Sequence, residues 1–145
     1  MLRRDFVKTV SITAAAILAT PLLETKLFAG DPSVAEIIAK ETGGKGAKDM
    51  AMLIAPAIAE NGLVVPLRIE SDIAIEKVKA VSIFALGNPT PRIITAQMSP
   101  EMGKVYFSTR TKLGKGQEIL ALMELTDGTF VKDVKSIKVT VGGCG

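Results

Sequence analysis

From Asn61 onward the sequence is a succession of short runs in which aliphatic and polar residues alternate, each closed by glycine, proline, asparagine or aspartate. A period of two sends successive side chains to opposite faces, so such a run is stable as a strand with one face buried. In the first run Leu63, Val65, Leu67 and Ile69 form the expected buried set against Val64, Pro66, Arg68 and Glu70, directly after the turn dipeptide Asn61-Gly62. Strand-like runs follow at 77–86, 92–97, 104–111, 117–126, 129–134 and 136–141, with turns at Gly87-Asn88-Pro89, Ser99-Pro100, 114–116 and Asp127-Gly128. About seven short strands at hairpin spacing predict an all-β chain folded as an immunoglobulin-like β-sandwich.

Helical patterning is confined to the start of the domain. Asp31-Pro32-Ser33 precedes an apolar stripe of Val34, Ile37 and Ile38, and Ser33 with Glu36 has the spacing of a capping box. A short N-terminal helix is therefore expected, ended by Gly43-Gly44. The segment 43–49 reads as a loop, and 50–59, interrupted by Pro56, as an irregular edge strand. Glu60-Asn61-Gly62 reads as a strand connection in which Asn and Gly supply positive φ. Pro89 and Pro91 read as turn or edge residues that limit further strand pairing. Neither an internal repeat nor a low-complexity linker divides the strands, so 30–141 is taken as a single sandwich domain.

The first 29 residues have the order of an address. Arg3-Arg4 is followed by an apolar stretch at 10–18, then Pro21 and a small-residue exit at Leu27-Phe28-Ala29. That order predicts a twin-arginine export signal over 1–29 and delivery to the periplasm. Its apolar part falls short of the roughly 20 residues that cross a bilayer, so no membrane span is expected. Because this route moves folded proteins, and no cofactor motif is present, a partner subunit travelling with the chain is expected.

Composition removes most other chemistry. The chain has no histidine and one cysteine, which excludes a Ser/His/Asp or Cys/His catalytic set and a Cys/His zinc cluster. With no tryptophan, 4% aromatic residues and a formal charge of +3, a stacking platform for nucleic acid is not expected. The spacing of Glu60, Glu118 and Asp127 does not suggest an acid–base pair, so the chain is not expected to be an enzyme. Arg110 and Lys112 read as a solvated face available to an anionic cargo or an acidic partner.

The chemistry is concentrated after the last run. Ile137, Val139 and Val141 alternate with Lys138 and Thr140, and then come Gly142, Gly143, Cys144 and Gly145. Glycines on both sides of a lone thiol predict a narrow, mobile arm over 142–145. At about 3.3–3.6 Å per residue, it can project the sulfur roughly 10 Å beyond the last strand. Cys144 is thus the candidate for covalent sulfur attachment by thiol exchange, with Gly142, Gly143 and Gly145 giving flexibility and clearance. A dithiol oxidoreductase would need a second cysteine. An intermolecular disulfide in a scaffold module is the alternative reading of the same thiol.

The segment Val139-Thr140-Val141-Gly142-Gly143-Cys144-Gly145 resembles the C-terminus of the SoxY family, the sulfur-bearing subunits of the bacterial thiosulfate-oxidising system. The stretch 55–62, Val65-Pro66, Asn88-Pro89 with Pro91, and Ser108-Thr109-Arg110 extend the resemblance in order and spacing. It implies an immunoglobulin-like domain paired with a SoxZ-like subunit as a heterodimer, with Cys144 on a swinging arm. It also implies a c-type cytochrome enzyme that joins thiosulfate to the thiol, a hydrolase that releases sulfate, and a sulfane dehydrogenase or other acceptor for the remaining sulfur. No cofactor on the chain itself is implied. The family pattern has two glycines after the cysteine, where this sequence has Gly145 alone.

Overall fold

A computed structural model describes residues 32–141. The expected export segment and the 142–145 tail lie outside the described residues. The domain begins with α1 (Val34–Thr42), and the capping box forms as the sequence predicts: the Ser33 amide donates to Glu36 Oε2 at 2.8 Å and the Glu36 amide to Ser33 Oγ at 3.2 Å. Gly43, in the left-handed conformation at φ 62°, ends the helix by donating its amide to the Ala39 carbonyl.

Nine strands follow among the described residues: β1 (Lys48–Asp49), β2 (Leu53–Ile54), β3 (Ile58–Ala59), β4 (Val65–Ser71), β5 (Val78–Ala85), β6 (Arg92–Gln97), β7 (Val105–Thr111), β8 (Gln117–Leu125) and β9 (Phe130–Val139). The larger sheet runs in the order β1-β9-β8-β5-β6, with β3 also paired to β9, and the smaller in the order β2-β4-β7. Their facing sides interdigitate: Val81, Ile83, Ile119, Ala121, Met123 and Ile137 from one meet Val65, Leu67, Ile69 and Val105 from the other. The predicted sandwich is present. On the opposite side of the larger sheet, Ile37 and Ile38 of α1 pack on Phe84, Leu86, Leu120 and Leu122. β8 is apolar at consecutive positions because both of its faces are covered, one by the second sheet and one by the helix.

Three expectations are corrected. The runs at 129–134 and 136–141 are one strand, β9, paired to β8 without interruption from Glu124↔Phe130 to Gln117↔Ile137. The alternation is broken because Asp133 and Lys135 occupy the parity of the core-facing Val131 and Ile137, not because the chain turns. The segment 50–59 is not one edge strand: β2 joins the smaller sheet and β3 the larger. The chain crosses between the sheets through Ala55-Pro56-Ala57, where Pro56 lacks the amide a ladder would require. Leu63 is not in the buried set. β4 begins at Val65, and Leu63 and Val64 are 48% and 54% exposed in the preceding turn.

Candidate functional site: the root of the C-terminal tail

All four residues expected to form the sulfur-bearing arm, Gly142, Gly143, Cys144 and Gly145, lie outside the described residues. The structure defines the platform from which they leave, at Thr140 and Val141.

β3 lies parallel to the end of β9, with Ile58 opposite Lys138 and Ala59 opposite Val139. The amides of Lys138 and Thr140 donate to the carbonyls of Ala57 and Ala59 at 3.0 and 3.1 Å, and the Thr140 hydroxyl donates to the Glu60 carbonyl at 3.0 Å. Gly62 then closes the clamp: its amide donates to the Val141 carbonyl at 2.8 Å, and its carbonyl accepts from the Leu113 amide at 2.7 Å. The backbone is therefore held through Val141, one residue before Gly142. Any freedom of the following glycines starts from a fixed point rather than from a frayed strand.

The Glu60-Asn61-Gly62 turn does this work differently from the sequence expectation. Neither Asn61 nor Gly62 has positive φ. Asn61 acts through its side chain, whose Oδ1 accepts the Leu63 amide at 2.9 Å, an Asx turn. Gly62 is buried between the backbones of Val141 and Leu113. The turn joins the two sheets and anchors the tail root, so it is more than a strand connection.

Sequence reasoning missed a second support. Gln117, buried at the start of β8, accepts the Gly87 amide at 2.8 Å through Oε1 and donates through Nε2 to Asn88 Oδ1 and the Lys115 carbonyl at 3.0 and 3.1 Å. Asn88 Nδ2 in turn donates to the Lys112 carbonyl at 2.8 Å. This network ties the 87–88 turn to the 112–117 segment that carries Leu113. Gly116 lies against β9 so closely that a Cβ there would stand 3.3 Å from the Ile137 carbonyl oxygen. In sequence Gln117 stands beside Glu118 at the head of the apolar stretch 119–123 and looks like a solvated residue, whereas a buried amide needs partners on both its oxygen and its nitrogen.

The surface around the root is apolar with basic neighbours. Ile58, Leu63, Val64 and Val141 are 57%, 48%, 54% and 63% exposed. Lys138 stands opposite Ile58, while Arg110 and Lys112 are exposed just before Leu113. Of the carboxylates considered for acid–base chemistry, Glu60 belongs to the turn at the root and Glu118 lies near the root end of β8, whereas Asp127 lies in the turn at the other end of β8, hydrogen-bonded by Thr129. No three His, Cys, Asp or Glu side chains converge into a metal site among the described residues.

Comparison with known proteins gives a consistent picture. The family model for the sulfur oxidation protein SoxY matches residues 38–144. The chain is similar in structure to the sulfur carrier protein SoxY from Chlorobium limicola f thiosulfatophilum, with a TM-score of 0.62 and 27% identity over 74% of this chain and 96% of that one. It is also similar to a superoxide reductase (neelaredoxin) from Ignicoccus hospitalis, with a TM-score of 0.55 and 16% identity over 74% of this chain and 98% of that one. At that identity the second likeness shows the fold alone. No curated protein sequence matches the chain.

Proposed function

This chain belongs to the SoxY family of sulfur oxidation proteins and has the family's sulfur-carrier role, and from that premise we propose that it carries thiosulfate-derived sulfur covalently on Cys144. The observation that carries this reading is the reach of the family match, which runs through the clamped root and up to residue 144. A lone thiol just beyond an anchored strand suits a carrier, since attachment needs one nucleophilic sulfur and exchange chemistry needs no metal.

The loading step balances simply. The outer sulfur of thiosulfate bonds to the Cys144 sulfur, the thiol proton is released, and two electrons pass, one at a time, to one-electron haem acceptors of a c-type cytochrome partner, leaving Cys–S–S–SO3−. Water then cleaves the bond between the two outer sulfurs at a hydrolase, releasing sulfate and two protons and leaving a persulfide anion. A sulfane dehydrogenase or another acceptor takes that sulfur onward. The chain works in this reading as a heterodimer with a SoxZ-like subunit, in the periplasm, after export through a twin-arginine signal at 1–29. Its own contribution is presentation, with the chemistry supplied by the enzymes that receive the arm.

Substitution Cys144→Ser tests the assignment. The variant should fold and pair as the parent does but gain no mass when incubated with thiosulfate and the c-type cytochrome enzyme. The parent should gain an adduct that mild reductant removes and peptide mapping places on Cys144. Adduct formation in the serine variant would reject Cys144 as the carrier residue. A stable disulfide dimer of the parent on non-reducing electrophoresis would favour a scaffold.

A further inference from the structure

Gln117 and Thr42 are the two polar residues buried among the described residues. At the parity of Gln117, β8 continues with Ile119, Ala121 and Met123, all fully buried in the core. An apolar side chain at 117 would extend that row, whereas a buried amide costs desolvation and has to be matched by partners. All three of its side-chain bonds go to the 87–88 turn and to the loop before β8, so what the amide controls is the path of that loop. Gly87 passes so close that a Cβ on it would stand 3.1 Å from Gln117 Cβ and 2.8 Å from Lys115 Cε. Asn88 pins the Lys112 carbonyl, and the next residue, the fully buried Leu113, donates to Gly62, whose own amide holds Val141. On its other side the loop bears on β9, where a Cβ on Gly116 would meet the Ile137 carbonyl oxygen at 3.3 Å and Lys138 Cα at 3.5 Å. The loop is thus braced against β9 and coupled to the tail root.

We propose that Gln117 and Asn88 are positioning residues for Cys144, which act through Leu113 and Gly62 to fix the point and direction at which the tail leaves the domain. The inference rests on the carrier reading and adds to it an internal device that aims the thiol. Two hydrogen bonds in series, Leu113 to Gly62 and Gly62 to Val141, join the loop to the last clamped residue. Cys144 lies three positions beyond Val141, so its sulfur moves within about 10 Å of that anchor. On so short a tether the orientation of the anchor decides which part of that volume the sulfur samples. An enzyme receives it in proportion to its effective concentration at the reacting atoms. If the loop shifts, Gly62 cannot keep both its amide and its carbonyl bonded. Loss of the Val141 bond leaves Thr140 as the last held residue, which lengthens the free segment by roughly 3.5 Å and lets its base turn. Because Gln117 is buried, its effect on transfer has to pass through the tail.

The test reads the position of the tail and the rate of loading separately. Since the chain has one cysteine, nitroxide labels on Cys144 and on an introduced Glu76→Cys report their separation by double electron–electron resonance. Glu76 is exposed just before β5, whose first residue pairs with the far end of β8. Gln117→Leu removes the whole network, and Asn88→Ala frees the Lys112 carbonyl while leaving the buried position intact. In the full chain both substitutions should widen the distance distribution by about 3 Å, the freedom of one released residue. Thiosulfate adduct formation by the c-type cytochrome enzyme, followed by intact mass on the unlabelled heterodimer, should slow about tenfold in kcat with KM within about twofold. Four glycines inserted between Gly143 and Cys144 should reduce that loss to less than about twofold, since a long arm no longer depends on its starting direction. A purely structural role predicts a lower melting temperature with the distances and the loading rate unchanged below it. That result, or an equal loss with both tails, would overturn the assignment while leaving the carrier reading intact. If Gln117→Leu does not fold, Asn88→Ala decides between the same outcomes. If the parent itself gains no adduct on Cys144, the carrier reading falls and the positioning role with it.

Discussion

Asp133 shows how one residue sets the path of the chain. Its side chain is 11% exposed, and its Oδ2 accepts the amides of Met52 and Leu53 at 2.9 and 2.8 Å where the chain passes from the larger to the smaller sheet. Removing the carboxylate leaves two part-buried donors without a partner, so Asp133→Ala should lower stability by about 2–4 kcal/mol in urea denaturation. Asp133→Asn, which keeps one acceptor oxygen, should cost less; equal losses would show that the acceptor is not what matters. Asp127 presents a different case, exposed in the β8–β9 turn. The Thr129 hydroxyl and amide donate to its Oδ1 at 2.6 and 2.9 Å and hold its carboxyl below the ordinary value of 3.8. A lowered folded-state pKa stabilises the fold fully above the unfolded-state value and ceases to do so as pH falls through the folded one. The melting temperature of the parent should therefore exceed that of Asp127→Asn at neutral pH, with the gap closing only below about pH 3.8. A gap that persists in stronger acid would assign the difference to the turn's shape instead of its charge.

At the scale of the element, β9 matters most to function, since it carries the chain to the tail root. It pairs with β8 along one edge and with β1 and β3 along the other. Lys135 lies opposite Ile119 in the middle of that ladder, where a proline would remove an amide and force φ near −65°. Lys135→Pro should thus destabilise the domain by about 3 kcal/mol or more in chemical denaturation. Were residues 129–134 and 136–141 separate strands joined at Lys135, the same change would be nearly neutral. The clean alternation of Ile137, Val139 and Val141 made the end of β9 legible in the sequence. The interruption by Asp133 and Lys135 hid its length, because a core-facing position occupied by a polar residue looks the same in sequence as a turn. Only the neighbouring backbone, in the form of the Met52 and Leu53 amides, explains why Asp133 can be there.

For the whole molecule, local signals read well and pairings between distant segments did not. The helix cap, the turn residues and the alternating strands each depend on neighbours in sequence, and the sandwich and its helix followed from them. The pairing of β3 with β9, the Gly62 clamp and the Gln117 network join segments separated by tens of residues, and nothing in a run of side chains specifies such partners. The same holds for the site. Cys144 and its glycines were conspicuous by composition, whereas the place of Leu63, exposed ahead of the strand instead of buried within it, was not.

The parallel pairing of β3 and β9 also has a consequence in time. Thr140 and Glu60, which meet at the tail root, are separated by 80 positions in the chain, and β9 follows every strand to which it pairs. Contacts of such long sequence separation require the intervening chain to be closed into a loop first, and they slow folding. During synthesis the platform cannot assemble until residues 130–141 have emerged. A chain stopped short of them would leave the β8 edge open and the Met52 and Leu53 amides without their acceptor. The segment that presents the tail is therefore also the one whose arrival completes the fold, so a domain with a formed tail root is one whose sheets have already closed.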